Sequence, residues 1–215
     1  MVSGATLDVA RRLIGARLVH DSANGRTVGR IVETEAYLSE RDPASHSAGG
    51  RTARNASMFL SAGHAYVYRI YGIHHCFNIV TGPEECGEAV LVRALEPLRG
   101  FDLMEQRRSV DDHRRWCDGP GKLVEAMGIG PGLDGVDLAE GPLQLWAPES
   151  TWRGGRIVSG GRIGLRKGVD LDYRFHLDAC PWRSKGVPSG RATRRTSRHD
   201  GATGDRRGGR RAVGR

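Results

Sequence analysis

The sequence predicts an α+β fold: a single compact domain around a curved, mainly antiparallel β-sheet, open-barrel-like, with flanking helices. Three observations point there. Short apolar or alternating segments bounded by Gly, Pro and Asn follow one another in hairpin order, as antiparallel strands do. Helical patterns stand apart from these segments instead of alternating with them, which favours α+β over a parallel α/β sheet. The charge excess is confined to the C-terminal end, leaving a neutral body of single-domain size.

Leu7, Ala10, Leu13 and Ile14 recur at helical spacing, and Gly15 can close that helix. Arg17–His20 and Thr27–Leu38 read as strands joined by the turn Ser22-Ala23-Asn24-Gly25, an Asn-Gly hairpin signal. Arg41–Asn55, rich in Gly, Ser and Arg, reads as a long loop, often a functional feature in a compact domain. Strands are expected at Ala65–Tyr71, His75–Thr81 and Ala89–Leu95, with Gly72 breaking the first pair and Gly82-Pro83 ending the second strand. Phe101–Arg107 and Gly121–Met127 read as short helices, followed by a glycine-rich loop over 128–135. Leu143–Trp146, Arg162–Leu165 and Tyr173–Leu177 are the later strand candidates.

The 215 residues carry a net charge of +8. Residues 185–215 hold ten of the 33 Lys and Arg and two of the 25 acids, so residues 1–184 carry 23 of each sign. The expected organisation is therefore a folded domain over 1–184 and a basic C-terminal tail over 185–215, disordered because almost nothing in it is apolar. Such a tail suits a polyanion such as a phosphate backbone, or is simply a solvated extension. Cys76, Cys86, Cys117 and Cys180 form no C-x-x-C pair and pair with no histidine at metal spacing. With no apolar N-terminal signal and no apolar run of the ~18 residues a membrane span needs, a soluble, cytoplasmic chain with reduced thiols is expected, without membrane partners.

In the strand Gly29–Leu38, alternation puts Ile31, Glu33, Glu35 and Tyr37 on one face and Val32, Thr34, Ala36 and Leu38 on the other. Glu33 and Glu35 would lie about 6.5–7 Å apart beside a loop holding His46. A solvated outer face explains two carboxylates more cheaply than a catalytic pair. A metal site from Glu33, Glu35, Asp42 and His46 matches no familiar ligand spacing. Tyr66, Tyr68 and Ile70 share a face of the next strand, either as cross-strand packing or as a stacking surface for a base; Tyr71 precedes Gly72 at a hairpin tip. Arg93, inside the apolar run Ala89–Leu95, needs a partner if buried: a carboxylate of the Glu33/Glu35 face or an incoming phosphate.

Several stretches occur in order: Arg30-Ile-Val-Glu-Thr-Glu-Ala-Tyr-Leu38, Ala44-Ser-His-Ser-Ala-Gly-Gly-Arg51, Arg54-Asn55, Met58-Phe59, Tyr66-Val-Tyr68 and Tyr71-Gly72. Cys76-Phe-Asn-Ile79, Val90-Leu-Val-Arg-Ala-Leu-Glu-Pro97, Gly119-Pro120, Lys122-Leu123 and Arg162-Ile-Gly164 follow. Together they resemble the alkyladenine DNA glycosylase family, also called the 3-methyladenine or methylpurine DNA glycosylases, over roughly residues 7–183. The chain departs from the family in a loop between His46 and Arg54-Asn55 that is one residue shorter than in some relatives. Leu165–Cys180 is divergent, and the basic tail lies outside the family core.

The resemblance implies a monofunctional DNA glycosylase of base excision repair that flips alkylated or deaminated purines out of duplex DNA and leaves an abasic site. By resemblance, Glu35 activates the hydrolytic water against C1′, and Arg93 helps hold that water and the adjacent phosphate. Tyr37, His46 and Tyr68 enclose the flipped base, and Asn78 obstructs the 2-amino group of guanine. Tyr71 enters the minor groove and fills the gap. The implied partner is double-stranded DNA with damaged purines, placing a cytoplasmic enzyme at the nucleoid. The chain is expected to act as a monomer, with no cofactor, no metal and no lyase step. Two rivals remain: a catalytically inactive nucleic-acid-binding relative, and a metal-dependent hydrolase or nuclease.

Overall fold

The computed structural model describes residues 1–70 and 72–189. Among these described residues, three α-helices, α1 (Thr6–Arg12), α2 (Phe101–Arg108) and α3 (Pro120–Met127), accompany eight strands. These are β1 (Arg17–Ser22), β2 (Gly25–Leu38), β3 (Ala65–Ile70), β4 (His74–Thr81), β5 (Glu88–Arg99), β6 (Leu143–Trp146), β7 (Ile157–Gly160) and β8 (Arg174–Leu177). Six strands form one continuous path, β3-β4-β5-β2-β1-β6, and β8 attaches to β2 with β7 beyond it. Every strand pairing is antiparallel, and the sheet curls into a half-barrel. The α+β architecture expected from the sequence is therefore the one observed.

β2 is the spine. At 14 residues it is long enough to serve two strands on one edge: β1 pairs with Gly25–Arg30 and β8 with Glu33–Glu35, while β5 takes the other edge. The β2–β5 ladder carries two opposed irregularities at its middle. Ile31 faces Leu95 and Glu33 faces Ala94, so Val32 is an extra residue on β2; Thr34 then faces Val92, so Arg93 is an extra residue on β5. Such β-bulges re-aim side chains. Here they swap the alternation of both strands at once, so that Ile31 joins Ala36, and Leu95 joins Val92 and Val90, in one core cluster.

This corrects the strict alternation read from the sequence. Ile31 belongs with Thr34 and Ala36 against α1, where the Thr34 hydroxyl donates to the Ala10 carbonyl at 2.9 Å. Glu33 and Glu35 turn the other way. They do not face water, as the cheaper reading had it: both are fully buried.

The main core lies between the sheet and the helices, built on Val9, Leu13, Ile31, Leu95, Leu123 and Met127. A second cluster, Met58, Phe59, Tyr66, Val80 and Ala89, has Tyr37 and Tyr68 packed on it. The expected strand Arg162–Leu165 is not one. β7 lies earlier, at Ile157–Gly160, and Ile163 makes only an isolated bridge to Pro188. Gly164 adopts φ +77°, a left-handed conformation that interrupts an extended strand. β5 runs past the expected Leu95 to Arg99, because Pro97 falls beside a register shift at Val28/Gly29, where a missing N–H is tolerated.

The far end of the described chain returns to this region. Ser189 donates its N–H to the Arg162 carbonyl at 2.8 Å, and its hydroxyl accepts from the Leu165 N–H. Of the expected basic tail, residues 190–215 lie outside the described residues. Among the described residues, no helix is long and apolar enough to cross a membrane.

Candidate active site

A cleft of about 300 Å³ opens where β2, β3, β4 and β5 converge on the loop after β2. Aromatic walls come from Tyr37, Tyr66, Tyr68 and His46, with Asn78, Leu91, Arg93 and the Ile163–Leu165 segment completing it. Each wall residue has an identifiable support. His46 and Tyr68 meet edge to face with centroids 4.4 Å apart, and Tyr66 lies 5.2 Å from Tyr68. The Tyr66 hydroxyl and the His46 Nδ1 are hydrogen-bonded at 3.0 Å. Asn55, buried, donates its carboxamide N–H groups to the carbonyls of His46 and Gly50, so the loop holding His46 is tied from within. Asn78 is buried and donates to the Tyr66 carbonyl at 3.0 Å, which fixes its carboxamide at the wall.

The electrostatics of this aromatic box follow from burial. Burial, with Arg54 nearby, pushes the His46 pKa below its ordinary value, so the ring is neutral near pH 7. Burial raises the Tyr37, Tyr66 and Tyr68 hydroxyls, which stay protonated. The box thus presents uncharged, electron-rich faces.

Two fully buried carboxylates, Glu33 and Glu35, lie behind Arg93 of the cleft wall, each bonded to it. Glu33 Oε1 accepts from Arg174 Nε at 2.7 Å, from the Ser184 hydroxyl at 2.8 Å and from Arg93 Nε at 3.1 Å, and Oε2 accepts from the Ser184 N–H at 2.7 Å. Burial pushes the Glu33 carboxyl up, but Arg93, Arg174 and Ser184 together outweigh it and hold the group below the ordinary carboxylate value. Glu35 has a different set. Its Oε1 accepts from the Ile163 N–H at 2.8 Å, while Oε2 accepts from the Tyr37 hydroxyl at 2.9 Å and pairs with Arg93 Nη1 at 3.1 Å. Tyr37, Arg93 and Ile163 all line the cleft. Arg93 therefore bridges the two carboxylates; burial works against its charge, but Glu35 and Glu33 more than offset this and raise its pKa.

With the geometry in place, comparison with known proteins decides the family. The family described as methylpurine-DNA glycosylase matches residues 1–181. A protein of Methanoculleus marisnigri is 51% identical over 182 residues, covering 84% of this chain and 94% of its own length. One of Nitrosospira multiformis is 46% identical over 183 residues, covering 85% and 91% respectively. Both bear the name "Putative 3-methyladenine DNA glycosylase". The chain belongs to the methylpurine-DNA glycosylase family.

Of the site residues named from the sequence, Arg93, Tyr37, His46, Tyr68 and Asn78 line one cleft in this methylpurine-DNA glycosylase family member, and Glu35, fully buried, is bonded to three of the lining residues. Tyr71 lies outside the described residues. The four-residue metal reading dissolves: Asp42 is spent on Arg162, Glu33 on Arg93, Arg174 and Ser184, and His46 on the tyrosines. Among the described residues, no group of three or more His, Cys, Asp or Glu is placed to hold a metal. All four cysteines are unpaired thiols.

Sequence reasoning left out several contributors. Tyr66 carries the same-face signal as Tyr68 and Ile70, and all three line the cleft. Met58 and Cys76 add to the wall without any pattern that distinguishes them from core residues. The Ile163 N–H, a backbone donor, has no side-chain signal at all. Arg174 and Ser184 fall in or just beyond the stretch that diverges from the family.

Proposed function

We propose that this chain is a monofunctional DNA glycosylase of base excision repair, acting on alkylated or deaminated purines flipped from duplex DNA. The observation that carries the reading is the incomplete hydrogen bonding of Glu35. A carboxylate has about four lone-pair positions, and at Glu35 three are taken, by Ile163 N–H, Tyr37 O–H and Arg93. One acceptor position on Oε1 is uncommitted, beside a cleft whose walls are aromatic and uncharged apart from Arg93. That arrangement suits a base taking a proton from water while Arg93 steadies the same oxygen framework.

The cleft matches the substrate class. Its volume of about 300 Å³ is at the small end of the ~300–1,000 Å³ usual for small-molecule sites, the scale of one nucleobase. A purine methylated at N3 or N7 is cationic and a good leaving group, and the face of a Tyr ring attracts a cation by about 0.5–2 kcal/mol. A protonated His46 would repel it; burial keeps that ring neutral. Asn78 stands at the wall where it would obstruct the 2-amino group of guanine, and Tyr71 is proposed to fill the gap left in the helix. Among the described residues no lysine lines the cleft, in keeping with water as the nucleophile and no Schiff-base lyase step. The whole reaction would be housed in residues 1–184 and one chain.

The test is a base-release assay on duplexes carrying 3-methyladenine, 7-methylguanine, hypoxanthine or ethenoadenine, with chelator present. Release of a free base from at least one of them, abolished by Glu35→Gln while damaged-duplex binding persists, is the expected outcome. Strand cleavage that stops with chelator, or full release by Glu35→Gln, would overturn the proposal. An inactive DNA-binding relative predicts binding with no release by the wild type.

A further inference from the structure

Outside the cleft walls lies a buried ion pair that the reaction does not use directly. Arg162 and Asp42 are both essentially inaccessible. Arg162 Nη1 donates to Asp42 Oδ2 at 2.5 Å, and Nη2 donates to Oδ1 at 2.7 Å, a two-pronged fork. A fully buried ion pair adds little net stability compared with well-packed apolar residues. Arg162 even leaves its Nε without a partner. Stability alone is therefore a poor account of it.

Its connections give a better one. Arg162 Nη1 also donates to the Ala36 carbonyl at 2.9 Å, the peptide group joining Ala36 to Tyr37. The guanidinium carbon lies 4.7 Å from the centre of the Tyr37 ring, and Tyr173 flanks it at 5.4 Å. Arg162 is itself bonded to Ile163, whose N–H meets Glu35 Oε1. Asp42 accepts from the N–H groups of Leu38 and Ala44, one at the end of β2 and one in the loop that carries His46. So both non-arginine donors on Glu35, the Tyr37 hydroxyl and the Ile163 N–H, are set by groups that Arg162 touches or is joined to.

We infer that Arg162, clamped by Asp42, is a positioning residue for Glu35: it fixes the Tyr37 ring and the Ile163 peptide so that the carboxylate keeps one orientation toward the reacting water. The inference rests on Glu35 being the base. Arg93 holds the carboxylate directly from β5, and Arg162 acts on it through two neutral donors. The flat guanidinium matters as much as the charge, because it seats on the Tyr37 ring while its fork holds Asp42.

The experiment is single-turnover base release from a methylated-purine duplex, with thermal midpoint and damaged-duplex Kd measured in parallel. Arg162→Lys keeps a cation opposite Asp42 but loses the fork and the flat face. The rate should fall on the order of 10–100-fold, the scale of an ångström-sized misplacement, with the Kd for damaged duplex changed by less than about threefold. In a Tyr37→Phe background, where one of the two positioned donors is already gone, the same substitution should cost a clearly smaller factor. The paired replacement Asp42→Asn/Arg162→Met removes both charges together and serves where the single variant folds poorly; it should show the same rate loss and the same non-additivity. A wild-type rate in both variants overturns the inference, as does an equal factor with and without the Tyr37 hydroxyl, which is what a purely structural pair predicts. If Glu35→Gln itself retains release, the reading of the reaction fails instead, whatever Arg162 does.

Discussion

Glu33 and Glu35 stand two residues apart on one strand, both fully buried, both bonded to Arg93, yet they occupy opposite kinds of surroundings. Around Glu33, two arginines and both polar groups of Ser184 supply four donors, three to Oε1 and one to Oε2, and of these residues only Arg93 lines the cleft. Around Glu35, one arginine, one phenol and one peptide N–H leave a position over, and all three belong to residues of the cleft wall. A carboxylate held by two arginines and a serine is an anchor; one whose partners are all cleft-wall residues can take a proton from that side. Identical burial thus says nothing about role, and the set of partners says a good deal.

The sharpest way to break this contrast is to neutralise each carboxylate in turn. Glu35→Gln should lower single-turnover base release by at least the ~10²–10⁴ that a positioned base contributes, while the thermal midpoint falls less than in Glu33→Gln, because Arg93 keeps Glu33 as a partner. Comparable unfolding of the two Gln variants would erase the distinction. Glu33→Gln should instead act on stability first. It leaves Arg93 and Arg174 facing a neutral group, and breaking such a buried pair costs about 3–5 kcal/mol, read from denaturant unfolding, with activity falling because Arg93 loses its seat.

A pH series separates the two further. The Glu33 pKa is depressed in the folded protein, so its contribution is fully present above the ordinary glutamate value of 4.5 and is lost as pH falls below it toward the lower folded value. Wild-type stability should therefore decline over that acidic range, and Glu33→Gln should flatten the decline; parallel curves would show that Glu33 is not the linked group.

Smaller effects are expected away from the carboxylates. Asn78→Ser, on the Glu35 side, should raise excision of guanine-type bases roughly tenfold, the scale of about 1.4 kcal/mol for removing one steric clash, leaving adenine-type release little changed. An unaltered lesion profile would remove Asn78 from the gate. Truncation after Ser189 should leave both carboxylate environments intact, since Ser184 and Ser189 remain in place to make their hydrogen bonds. It removes nine arginines. Binding should weaken and its salt slope flatten by about 0.9 for each phosphate no longer neutralised; an unchanged slope would make that segment a bystander.

Much of the frame could be read from the sequence because it depends on local signals. The Asn24-Gly25 turn, the glycine-bounded strands and the helical spacing of Leu7, Ala10 and Leu13 each act within a few residues. The aromatic face of β3 and the Glu35–Tyr37 pair were likewise legible, since i,i+2 neighbours share a face in any strand. What escaped depends on distant partners. Alternation put Ile31 with the carboxylates because two opposed bulges are invisible without the facing strand. Burial of Glu33 could not be inferred without Arg174 and Ser184, which lie in or beside the divergent stretch. The strand expected at Arg162–Leu165 failed for a related reason: an apolar alternation there hides a left-handed Gly164 and an arginine turned inward.

The Glu33 cluster also bears on the order in which the molecule assembles. Its three partners are separated from it by 60, 141 and 151 residues along the chain. For interactions of such long sequence separation the loop-closure entropy must be met before the contact rewards it. Ser184 is synthesised long after β2 and β5 have emerged, so Arg93 lacks its full seat until that residue has been added. Completion of the Arg93 seat beside Glu35 is thereby tied to the arrival of the segment that carries Arg174 and Ser184.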